Sequence, residues 1–130
     1  MKNFNNLEWA SINEERQELI EIFNEFEDAV KSKRTNFDYA KILSRLIDFA
    51  TLHFSNTEIY LRSNYNPRKN IIMPIYKSFI FQLLKIKVEL SLGKKIDVDK
   101  VYKYLNNWLQ FHLIYDDSLM FENEVSANAV

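Results

Sequence analysis

Four residues interrupt an otherwise apolar pattern. Arg16, His53, Thr57 and His112 fall on stripes of helical spacing where a plain helix bundle carries Leu or Ile. Their types are chemically capable: two imidazoles that bind metals or move protons, a guanidinium that grips carboxylates, and a hydroxyl. Each also has an ordinary role. A His facing a core is usually hydrogen-bonded and structural. A helical Thr can satisfy its hydroxyl on the preceding turn. An Arg near a helix start can lift its head to solvent. Together they sit on the inward faces of three helices, the place where bundles build metal and cofactor sites.

Composition limits that chemistry. The chain has 130 residues, 17 Lys+Arg against 18 Asp+Glu, two His, no Cys, one Gly and two Pro. Without Cys there are no disulfides, thiolate catalysis, zinc–cysteine sites or iron–sulfur clusters. One Gly rules out phosphate-cradling glycine loops and argues against hairpin-rich β folds. The near-neutral charge gives no general reason to bind nucleic acid or acidic membranes. The short basic cluster Lys31 to Arg34 reads as a solvated helix end. No apolar run approaches the ~20 residues of a membrane span. The richest stretch, Ile71 to Leu92, is broken by Lys77, Lys85, Lys87 and Glu89. The N-terminus lacks a basic-then-apolar signal pattern, so a soluble cytoplasmic protein is expected.

The elements that must position the four residues follow from the same spacing. Segment one starts at the capping-box pattern Ser11-Ile-Asn-Glu14, and its stripe runs Ile12, Arg16, Leu19, Phe23, Phe26, Val30. Thr35 or Asn36 can cap segment two, with Tyr39, Leu43, Leu46, Ala50, His53, Thr57 and Tyr60 inward. The stretch Asn64 to Asn70, with Pro67, reads as a loop. Segment three places Ile72, Tyr76, Phe79, Leu83, Ile86 and Leu90 on one stripe and stops at Gly93. Pro74 predicts that this helix begins near Met73, leaving Ile72 outside it or on a distorted turn. Asp97 can cap segment four, whose stripe runs Val101, Leu105, Trp108, His112 and Tyr115. The expected fold is all-α: an up-down-up-down four-helix bundle over residues 1–120, with an N-terminal segment (Leu7, Trp9) packed over one end. Residues 121–130 are expected to form a flexible tail.

This arrangement resembles the bacterial hemerythrin family along nearly the whole chain. Trp9 and Ile12 match the family's N-terminal part. His53-Phe54-Ser-Asn-Thr57-Glu58 matches its His-Phe-x-x-Glu-Glu element. Tyr65-Asn-Pro67 and Phe79 match its loop and third-helix frame, and Trp108-Leu-x-x-His112-Leu with Asp117 matches its last element. The resemblance implies a bundle that holds two irons with five His, one Glu and one Asp, and binds oxygen or senses iron. The match fails at those ligands. His53, His112 and Asp117 remain as vestigial candidates, but Arg16 stands at the first-helix His and Thr57 at the bridging Glu. Ile72 and Tyr76 stand at the two third-helix His. Glu58, one residue out of phase, points about 100° away around its helix and cannot replace the lost carboxylate.

The expectation is therefore no metal and no cofactor. Arg16 would supply the cationic charge for Asp117, which is otherwise a costly buried carboxylate, while Ile72 and Tyr76 would fill part of the vacated volume. The rival is a reduced iron site from His53, His112 and Asp117, a two-His-one-carboxylate set that Tyr76 could complete. A third option is a small-ligand pocket lined by His53, Tyr76 and His112. No nucleophile–base pair is recognisable and the carboxylates mostly fall on outward faces, so no enzyme is expected.

What remains is protein binding. Beyond its core stripe segment three carries Ile80, Phe81, Leu84 and Val88, wider than the usual ~100° apolar face. Segment four adds Tyr102 and Tyr104, residues favoured at interfaces, and Lys77, Lys85 and Lys87 would rim the patch. These point to a non-catalytic interaction or scaffold module with a protein partner, or to a homodimer through helices three and four. The plain alternative is a wide core stripe covered by the N-terminal segment.

Overall fold

The computed structural model describes the backbone of residues 2–112 and the side chains from Ala10 onward. The side chains of Leu7 and Trp9, together with Tyr115, Asp117 and the tail over 121–130, lie outside the described residues. Within them the chain forms four helices and no strand: α1 (Lys2–Lys31), α2 (Asn36–Ser63), α3 (Lys69–Ser91) and α4 (98–112). No helix among the described residues is long and apolar enough to cross a membrane.

Short turns join the helices, so sequence neighbours run antiparallel. Phe26 on α1 meets Tyr39 on α2, and Glu15 meets His53. Phe54 stacks on Tyr76 of α3, Phe79 stacks on Trp108 of α4, and Tyr102 of α4 hydrogen-bonds to Glu27 of α1. The ring of four is thereby closed, with α1 and α3 on one diagonal. The Asn36 amide donates to the Lys94 carbonyl at 3.3 Å, tying the two turns at one end. The core is a single apolar cluster in which Leu43, Leu46, Ala50, Leu61 and Leu83 are fully buried. The predicted stripes are the buried ones, with Val30, Ile86 and Trp108 only half-buried and Ile22, Ala29, Ile47, Phe54, Leu61 and Leu109 added.

Caps set the boundaries. The Thr35 hydroxyl accepts from the Asp38 N–H, and the Asp38 carboxylate accepts from the Thr35 N–H at 3.2 Å, a complete capping box for α2. That N–H holds the Asp38 carboxyl below its ordinary range. Asp97 accepts from the Lys100 N–H at 3.2 Å and opens α4. The first three helices end alike. In each, a residue with positive φ is followed by crossed hydrogen bonds back into the last turn, for example Gly93 N–H to Leu90 and Lys94 N–H to Glu89. The positive-φ residues are Lys33 (52°), Tyr65 (54°) and Gly93 (74°).

Two boundaries differ from expectation. α1 does not start at Ser11; it runs through it from Lys2. A capping box offers a start but does not stop a helix from above, and no Pro or Gly lies between Lys2 and Lys31 to break it. α3 does not start near Met73; it starts at Lys69 with Pro74 inside it, and Ile72 is helical and 1% exposed. Pro74 and Asn70, whose carbonyl loses its helical donor, both lie on the solvent side. There the missing bond costs little, because water can take its place.

Candidate functional site

The polar residues collect in one half of the core. α1 brings Glu15 and Arg16, α2 brings His53, Asn56 and Thr57, α3 brings Tyr76 and α4 brings His112. His53 is 0% exposed, and its Nδ1 lies 3.1 Å from Glu15 Oε1. Asn56 Nδ2 donates to the other carboxylate oxygen at 2.5 Å. The two ring nitrogens of His53 thus differ in surroundings: Nδ1 meets the carboxylate, and Nε2 is buried on the other side of the ring. The ordinary reading of His53 as a hydrogen-bonded core residue therefore holds, with a partner that the stripes did not reveal.

Thr57 Oγ1 donates to the His53 carbonyl at 2.8 Å, the expected satisfaction on its own preceding turn. Arg16 does not lift its head into water. It is 7% exposed, and Nη1 donates to Asn13 Oδ1 at 3.3 Å. Its expected partner Asp117 lies outside the described residues.

An aromatic box surrounds His112. Trp108 stacks on it at 4.9 Å between centroids, while His53 (5.4 Å), Tyr76 (5.5 Å) and Phe54 (5.8 Å) meet it edge-on. Phe54 is the hub of this cluster, stacked on Tyr76 at 3.9 Å. Such pairs contribute about 0.5–1.5 kcal/mol each beyond the area they bury. His53, Tyr76 and His112, expected around a small-ligand pocket, are thus brought together, but with their rings packed against one another.

The donor set does not fit a pair of irons. Of the four positions that the resemblance sets at iron ligands, Ile72 offers no donor atom, and Arg16 is a permanent cation in the same half of the core. The Thr57 hydroxyl is turned to its own backbone, and the Tyr76 ring is stacked on Phe54. Among the described residues no group of three His, Asp or Glu is arranged to hold a metal ion.

The expected interface residues separate. Phe81 (66%), Leu84 (43%) and Val88 (54%) are exposed, while the side chains of the N-terminal segment expected as their alternative cover lie outside the described residues. Ile80 is half-buried in a groove of about 290 Å³ between α2 and α3, floored by Phe54 and Tyr76 and bordered by Glu58 and Lys77. Tyr102 faces the other way. It hydrogen-bonds to Glu27 on α1, which pushes its phenol up, while Lys31 holds Glu27 below the ordinary carboxylate range. Tyr104 is the residue on the α3 side, near-parallel to Phe79 at 6.1 Å, and burial pushes its phenol up.

Sequence reasoning missed Glu15 and its second partner Asn56, and it took Phe54 only as part of a motif, not as the hub of the aromatic cluster. A signal for Glu15 existed: it sits seven residues before Ile22 and fourteen before Ala29, both buried, so the row extends to it. Compared with protein-family models, with curated proteins and with solved structures, the chain matches none.

Proposed function

We propose that this chain is a metal-free, non-catalytic bundle of hemerythrin-like design that works as a protein-interaction or scaffold module. The observation that carries the reading is the exposed row Phe81, Leu84 and Val88 on α3. Apolar side chains at this spacing on one outer face usually mark a contact surface. The buried Arg16 supports the metal-free part. A fixed positive charge buried in the same half of the core as the two histidines repels a cation held between them.

A photo-crosslinking residue placed at position 81 tests the interaction. It yields a defined protein adduct in the cell, and one at Lys103, exposed on α4, does not. Equal labelling at both sites overturns the reading.

A second reading, a reduced iron site, rests on the approach of His53 and His112 and on the Glu15 carboxylate behind His53, the usual support of a metal-binding imidazole. Asp117 would complete it. Anaerobic iron(II) titration followed by elemental analysis decides: no retained iron supports the metal-free reading, and stoichiometric retention supports the other.

A further inference from the structure

We infer that the protein assembles head to tail with copies of itself, the lysine-rimmed apolar face of α3 on one copy seated against the acid-rimmed face of α1 and α2 on the next. The inference rests on the interaction reading above and names the partner.

Charge selects this partner. From Ala10 to Asp28 the exposed face of α1 carries Glu14, Glu18, Glu21, Glu25 and Asp28, with no exposed Lys or Arg. On the diagonal helix the pattern inverts. α3 exposes Lys77 and Lys85, half-exposes Lys69 and Lys87, and has one carboxylate, the half-buried Glu89. A chain with a formal net charge of −1 thus sets an acidic α1 diagonal to a basic α3. A two-fold dimer through α3 would set lysine against lysine, so the expectation of a homodimer through that face is disfavoured.

The acidic side also offers apolar contact. Leu52 (52%) and Ile59 (46%) are exposed on α2, two helical turns apart. The Glu15–His53 contact sets Leu52 level with Glu14 and Glu18. Phe81, Leu84 and Val88 can cover these two side chains while Lys77 and Lys85 approach the glutamates. Glu25 is already paired with Arg45 and is not needed. The two faces lie on different sides of the bundle, so each added copy leaves one of each open. Such a contact builds rings or filaments and does not stop at two.

Sedimentation velocity over a concentration series, at low and high salt, tests this. The mean mass is expected to climb past that of a dimer, and added salt to raise the half-assembly concentration at least tenfold. The variants Phe81→Ser/Leu84→Ser and Glu14→Lys/Glu18→Lys change only exposed side chains, and circular dichroism checks their helices. Each alone is expected to remain monomeric, and an equimolar mixture to form a dimer and stop. Monomer at millimolar concentration overturns the inference and leaves the interaction module with a different protein. A closed dimer lost only with the α3 variant also overturns it, in favour of a two-fold contact.

Discussion

The two halves of the core are built on different principles. Near the turns at 32–35 and 92–97 the bundle is filled by Phe26, Leu43, Leu83, Leu90 and Leu105, all at most 3% exposed. In the other half Ile12, Leu61 and Ile72 are buried in the same way, but they share the interior with Arg16, His53, Thr57, Tyr76 and His112. The first half is held by the removal of apolar surface from water, which depends little on direction. The second depends on partners: carboxylate on imidazole, hydroxyl on carbonyl, ring on ring. A fold needs only the first kind. The second is where a sequence can hold, or give up, a function without losing its shape.

The largest expected effect lies in the aliphatic half. Leu43→Ala, at a fully buried position, is expected to lower the unfolding free energy by about 3–4 kcal/mol in urea titration. A smaller loss there than in the polar half would break the contrast. Next is Glu15→Ala, which takes the carboxylate from both His53 and Asn56 and is expected to cost about 1–3 kcal/mol. A neutral result would mean that the polar half is held by ring packing alone.

Much of this division is legible in sequence, because helical period and local caps are short-range properties. The inward rows, the Thr35 and Asp97 caps and the Gly93 stop follow from residue types a turn apart. What escapes is decided by tertiary contact. Glu15 stands one residue off its stripe, and only the approach of α2 makes it a core partner for His53. Lys33 and Tyr65 take left-handed backbone that their types disfavour, because the antiparallel turns require it. Ser11 and Pro74 carry true boundary signals, yet uninterrupted helix formers above the first and a solvent-facing lost bond at the second override them.

Smaller tests address the ends of the bundle, where both halves should behave alike. Thr35→Ala is expected to cost about 1 kcal/mol. The Asp38 carboxyl is held below its ordinary value, so its share of the cap is present at neutral pH. That share is lost as pH falls through the lowered value, and acid titration of the wild type against Asp38→Asn should show the two converging. The smallest effect is a gain. Tyr65 is 91% exposed at φ 54°, so Tyr65→Gly relieves backbone strain without losing packing and is expected to raise stability by up to about 1 kcal/mol. Gly93→Ala, with nothing within 4 Å of the added methyl, should lose a similar amount for the opposite reason.

Pro74 gives the polar half a weak seam. With no amide to bridge back to Asn70, the first turn of α3 can detach while the ladder behind it stays intact. Ile72 would leave with that turn, and the Tyr76 end of the interior would be the first to meet solvent. Native-state deuterium uptake should therefore spread from α3's beginning toward the histidines at energies well below global unfolding, with the leucine-rich end protected until the whole molecule opens.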